Sequence, residues 1–167
     1  MTRVRPVEGQ ADWTVVSWLW QAYRHDLAPV VGAYPRPDGR YNHAWLDAWA
    51  TSDDAAGYLL EQDVRDETTP VGFAVVNRLR EGPRGMGAFW IAAPVRRTGV
   101  GRRFAHDVIG RHPGRWEIAF QDENVGAGRF WRAVADEAFD SWTEEARPVP
   151  DKPDVPPDHW ISGTTCP

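Results

Sequence analysis

Trp90-Ile91-Ala92-Ala93-Pro94-Val95-Arg96-Arg97-Thr98-Gly99-Val100-Gly101-Arg102-Arg103-Phe104-Ala105 decides the fold, because its periodicity changes halfway. Up to Pro94 it reads as a strand that packs, and from Gly99 onward as a helix that starts. Between them lies a basic, glycine-punctuated turn with the spacing R-x-x-G-x-G from Arg96 to Gly101. Glycine tolerates positive φ and close backbone approach, and the first turn of a helix carries N–H groups with no intrahelical acceptor. Those donors, the helix dipole and the arginines make a seat for a diphosphate. The spacing is neither a Walker loop nor the G-x-G-x-x-G dinucleotide fingerprint, and a glycine turn before a helix serves equally as a plain connection.

Working outward, residues 96 to 115 hold Arg96, Arg97, Arg102, Arg103, Arg111 and Arg115 against Asp107 alone, a basic island in a chain of formal net charge -5. The island suits a polyanion, whereas the overall acidity argues against general nucleic-acid binding. At 167 residues with 42% hydrophobic content, the chain fits one domain with a sizeable core. One cysteine, Cys166, offers no internal disulfide and no cysteine-rich metal cluster. Five histidines show no paired ligand spacing, so no metal site is expected. The N-terminus has no apolar signal core and no stretch approaches a membrane-spanning length, so the expectation is a cytoplasmic protein without membrane contact.

Upstream, Thr2 to Val7 reads as an edge strand, followed by a helix capped by Asp12 with an apolar stripe of Val15, Val16, Leu19, Trp20 and Tyr23. Pro29 to Tyr41 reads as a loop, and Asn42 caps a short helix reaching Trp49. Gly57–Gln62, Pro70–Leu79 and Met86–Ala92 form an antiparallel meander, with a turn at 66–69. Downstream, a helix from Gly99 to about Gly110 leads to the strand Arg115–Phe120, which a right-handed crossover makes parallel to the strand before the helix. A second helix spans about Val125 to Glu137, then a strand from Ala138 to Glu145. Residues 147–158 read as an extended proline-rich segment before a short strand at His159–Ser162, the whole of 1–167 forming a single domain.

With this order in view, the sequence resembles the GCN5-related N-acetyltransferase (GNAT) superfamily from about Gly72 to Phe139. Ile91 to Ala105 matches the family's R/Q-x-x-G-x-G/A diphosphate loop, and Asn124-Val125-Gly126-Ala127-Gly128-Arg129-Phe130-Trp131 resembles its N-x-x-A-x-x-hydrophobic-aromatic motif. The resemblance implies an α/β (α+β) acyl-CoA N-acyltransferase fold: a mixed sheet with an antiparallel meander, flanking helices and a splayed strand pair. It also implies an enzyme transferring acetyl from acetyl-CoA to an amine by direct attack on the thioester.

By that resemblance the backbone of Ile91 and Ala93 contacts the pantetheine arm, Arg96, Arg97, Thr98, Gly99, Val100 and Gly101 bind the diphosphate, Arg102 neutralises charge, and Asn124 holds the far side of the cofactor. Trp131 stands where many members carry the tyrosine proposed to protonate the departing thiolate, and an indole is no acid at neutral pH. Glu61 on a meander strand and Glu117 beside the splay are the two candidate bases, Glu61 being preferred. His25, Asp26, His43, Tyr58 and His159 read as surface or packing side chains. Tyr23, Tyr34, Tyr41, Trp45 and Trp49 supply aromatic material for a cation pocket, and residues 140–158 are acidic. Together they favour a small cationic amine as acceptor. A peptide or protein acceptor, a non-catalytic CoA-binding or interaction module, and a homodimeric assembly stay open at this point.

Overall fold

The computed structural model describes residues 1–165, so Cys166 and the reading attached to it lie outside the described residues. Seven strands form one sheet in the order β1-β2-β3-β4-β5-β7-β6: β1 (Thr2–Pro6), β2 (Ala55–Val64), β3 (Glu67–Asn77), β4 (Arg84–Ile91), β5 (Arg115–Phe120), β6 (Ser141–Arg147) and β7 (Asp158–Thr164). Every neighbouring pair is antiparallel except β4–β5. The helices are α1 (Gly9–Val31), α2 (Ala44–Ala50), α3 (Val100–Gly110) and α4 (Val125–Ala138).

The sheet separates two apolar layers. Tyr58 and Leu60 of β2 and Ala74 and Val76 of β3 join Phe104, Val108 and Val134 under α3 and α4. The alternate residues Leu59, Phe73 and Val75 meet Val16, Trp20 and Leu46 under α1 and α2. Both faces of β2 and β3 are thus buried, which is why these strands are continuously apolar in sequence.

The first helix departs from the sequence reading at both ends. Asp12 is not the N-cap; it lies inside the helix, accepts the Glu8 N–H at 2.8 Å and holds Arg5 of β1. The helix also runs through Pro29, where a loop was expected, to Gly32, whose φ of 61° and N–H bond to the Ala28 carbonyl close it. Proline removes one helical hydrogen bond, and here the burial of Leu27 and Ala28 outweighs that loss.

Other boundaries shift for local reasons. The β2–β3 turn is Arg65-Asp66, both at positive φ as a two-residue hairpin requires, and not 66–69. Asn42 accepts the Ala44 N–H at 3.1 Å, yet α2 starts only at Ala44. Ala138 ends α4 instead of opening β6, because Phe139 is drawn into the core. β7 is longer than expected and lies between β5 and β6, burying Ile161 completely. The proline-rich segment before it carries two turn bonds, Lys152 N–H to Val149 and Val155 N–H to Lys152. Among the described residues no helix is long and apolar enough to cross a membrane.

Candidate active site

The parallel pair β4–β5 is joined at only two positions, Arg84 with Trp116 and Gly85 with Glu117. Beyond them the strands part, although β4 continues to Ile91 and β5 to Phe120. The N-terminal ends of α3 and α4 flank the opening, and α1 closes it from the other face, giving a cleft of about 540 Å³. Phe89, Phe130 and Trp131 form its aromatic floor, with ring centroids 4.9 to 5.3 Å apart. Within β4 the register slips between Val75 and Val76 of β3, so Gly87 is an extra residue opposite no partner. A Cβ on Gly87 would sit 2.8 Å from the Trp49 ring, so glycine is required there.

The basic turn takes the shape its sequence calls for. Residues 93–95 make a single 3₁₀ turn, with the Ala93 carbonyl taken by the Arg96 N–H at 3.3 Å. Arg97 and Gly99 both adopt positive φ, 63° and 81°, and α3 then begins with no side-chain cap. Arg96, Arg97, Gly99, Gly101 and Arg102 all line the cleft. Val100 is buried beneath them, and the Thr98 hydroxyl turns back to donate to the Val95 carbonyl at 2.8 Å. Asn124 lines the opposite wall, its Oδ1 accepting the Ala127 N–H at 3.2 Å as the cap of α4.

The profile of the acetyltransferase (GNAT) family matches residues 13–135, which includes both cleft-lining helix starts and the opening strand pair. The chain belongs to the GNAT family. This GNAT chain is an N-acetyltransferase, and solved structures of the same fold surround it at low identity. It is 13% identical to the ribosomal-protein-S18-alanine N-acetyltransferase from Escherichia coli, covering 99% of this chain and 94% of that one with a TM-score of 0.62. It is 9% identical to Arabidopsis thaliana NAA60 in complex with acetyl-CoA, covering 98% of both chains with a TM-score of 0.65. It is 15% identical to aminoglycoside acetyltransferase AAC(6')-Ib in complex with coenzyme A, covering 98% of this chain and 95% of that one with a TM-score of 0.64. No curated protein matches the sequence at a significant level.

The GNAT cleft does not receive either acid chosen from sequence. Glu61 is paired with Arg3 of β1, on the face of the sheet that α1 covers, and its carboxylate is clamped by Arg3 at 2.8 Å and Arg5 at 2.7 Å. Burial pushes its carboxyl up, but the two guanidinium groups outweigh that and hold it below the ordinary range. Glu117 sits at the joined end of β4–β5 and accepts from Arg78 at 2.8 Å and Arg147 at 3.0 Å. Burial raises its carboxyl and the two arginines again prevail, leaving it depressed. A carboxylate held by two arginines, outside the cleft, is poorly suited to take an acceptor's proton.

Among the described residues one acid does line the GNAT cleft, and it is Asp26, read from sequence as a surface or packing side chain. It belongs to a single face of α1, Tyr23, Asp26, Leu27 and Val30 at i, i+3, i+4 and i+7, that faces the opening. That spacing is visible in the sequence once the helix is allowed to continue past Pro29. Of the aromatic residues expected to build a cation pocket, Tyr23 reaches the cleft, whereas Tyr34 and Trp45 are exposed. Burial pushes the Tyr23 hydroxyl up, so it stays protonated at neutral pH.

Proposed function

We propose that the cleft binds acetyl-CoA and that the whole chain forms one catalytic unit, transferring the acetyl group to the amine of a small cationic molecule. The observation that carries this reading is the start of α3: an uncapped first turn at a left-handed glycine, opening into the cleft among Arg96, Arg97 and Arg102. The residues fit the donor in kind. Backbone N–H groups and guanidinium groups suit a diphosphate, and the gap between β4 and β5 offers an unpaired strand edge to an amide-bearing arm. The Ile91 carbonyl points into that gap, since the trans peptide it shares with Ala92 sends the Ala92 N–H the other way, to the Val71 carbonyl at 2.8 Å.

Acetyl-CoA supplies an activated acetyl group, which a neutral amine takes up by direct attack. The bulge at Gly87 leaves backbone outside the β3 ladder at the place where the strands part, a donor for negative charge growing on a carbonyl oxygen. Phe89, Phe130 and Trp131 keep water from the cleft floor. With Glu61 and Glu117 committed elsewhere, the acceptor enters deprotonated, and its nitrogen, once bonded to the acetyl carbon, gives up one proton to solvent as the C–S bond breaks and coenzyme A departs as the thiolate.

A thiol-release assay with acetyl-CoA and grouped amines tests the reading. Release of coenzyme A with at least one cationic amine is expected, together with a rise in thermal midpoint when coenzyme A is added. Neither release nor thermal protection would overturn it.

A further inference from the structure

Arg96 is held by three groups that together make a receptor for a cation. Its Nη2 donates to the Asp26 carboxylate, its Nε donates to the Ile91 carbonyl at 2.7 Å, and its guanidinium lies 5.8 Å from the centre of the Trp90 ring. Trp90 Nε1 donates to the same Asp26 oxygen at 2.9 Å, fixing carboxylate and ring relative to each other. Tyr23 adds a second aromatic wall one helical turn before Asp26. A carboxylate, a carbonyl and an aromatic face are what a guanidinium or ammonium group asks of its surroundings. Among the described residues lining the cleft, Asp26 is the only acid.

Arg96 also belongs to the turn that, on the reading above, binds the diphosphate. It cannot serve both partners fully, because the Ile91 carbonyl and the Asp26 carboxylate hold its donors away from the α3 turn. We propose that Arg96 is a built-in occupant of the acceptor's cation site: acetyl-CoA draws it onto the diphosphate, and the vacated Asp26–Trp90 site then takes a cationic group of the acceptor. The proposal rests on the diphosphate reading of the turn and goes beyond it in naming the acceptor class and the order of binding. The reacting nitrogen must be neutral to attack, so the cation held at Asp26 is a second one. The acceptor is therefore an amine that also carries a guanidinium or a further ammonium group. Donor and acceptor bind with positive coupling, donor first.

Agmatine and butylamine share a four-carbon amine and differ by the guanidinium, so they isolate the second cation. Asp26→Asn retains an oxygen for Trp90 Nε1 while releasing Arg96. It is expected to bind coenzyme A about three- to tenfold more tightly in calorimetry, and to lower the agmatine-to-butylamine ratio of kcat/KM at least about tenfold. Unchanged or weaker coenzyme A affinity, or an unchanged ratio, overturns the proposal. A third readout needs no turnover. Agmatine should raise the thermal midpoint of the wild-type protein only when coenzyme A is present, whereas in Arg96→Ala, with Asp26 uncovered, it should do so alone; no shift in that variant overturns the proposal. Absence of thiol release with every amine would remove the transferase reading, and the Asp26–Arg96 latch would still stand or fall on the coenzyme A titration and the midpoints.

Discussion

Two helices begin at the cleft, and they begin differently. At α4 the Asn124 side chain caps its own helix through the Ala127 N–H. At α3 the cap position is Gly99, with no side chain to do this, and arginines stand around it. A self-capped helix start has one donor fewer to offer, whereas an uncapped one beside fixed cations is an anion site waiting for its ligand. The contrast is broken most sharply by giving α3 a side chain at that position. Gly99→Asp places a carboxylate at a φ of 81°, which strains any side chain, where a Cβ comes within 3.2 Å of Arg103 Nη1, and its charge repels a diphosphate. Coenzyme A affinity should fall by about 100-fold, read by calorimetry, with the thermal midpoint of the free protein changed by only a few degrees. Retained affinity would place the diphosphate elsewhere.

The same division between committed and available groups separates Glu61 from Asp26. Glu61 is structural, so Glu61→Gln should cost about 1–2 kcal/mol of stability, discounted for the exposure of Arg3 and Arg5, and leave the shape of the pH–rate profile intact. Its carboxyl is depressed in the folded state, so the stability it contributes is complete above the ordinary glutamate range and disappears as pH falls through the lowered folded value. The difference in thermal midpoint between the wild type and Glu61→Gln should therefore close in acid. A variant that instead lost rate mainly at low pH would return Glu61 to the role of base.

Asn124 sharpens the comparison from the other side. Asn124→Ala removes the cap of α4 and should cost about 1 kcal/mol by chemical denaturation, while Asn124→Asp keeps the cap and the stability but sets a negative charge in the cleft wall. The aspartate variant should thus weaken coenzyme A by several-fold without destabilising the fold, separating capping from ligand contact at one position.

Much of this was legible in the sequence, and the parts that were not share a cause. The change of period at Gly99, the crossover to β5 and the start of α4 at Val125 are local features, written in spacing that a few neighbouring residues fix by themselves. The partners of Glu61 and Glu117 are not local: Arg3, Arg5, Arg78 and Arg147 come from 30 to 58 residues away, and only the strand register brings them together. Asp26 was hidden by a single residue. Reading Pro29 as a helix end cut the Tyr23-Asp26-Leu27-Val30 face in two, although burial of Leu27 and Ala28 carries the helix past it.

The smallest effect concerns what holds the α4 start in place. Asp122, two residues before the cap, binds His159 Nε2 at 2.8 Å, while His159 Nδ1 meets Glu144, itself gripped by both arms of Arg132 at 2.7 Å. The ring stacks on Phe120 with centroids 5.3 Å apart. The bond to Asp122 is the chief cause that raises His159 above the ordinary histidine range, with Glu144 adding to it and partial burial opposing. A raised folded value means that the stabilisation is complete below the ordinary histidine value and is lost as pH climbs through the raised one. Because the group is partly exposed, the effect is modest: His159→Gln should lower the thermal midpoint by about 1–2 °C near pH 6, and the gap should narrow by pH 9. The α3 turn is tied instead to Asp26 through Arg96 and has no bond to His159, so coenzyme A should shift the midpoint equally in both proteins at either pH. A coenzyme A shift that followed His159 instead would mean that the two helix starts act as one unit, and the distinction between an open and a self-satisfied helix end would have to be abandoned.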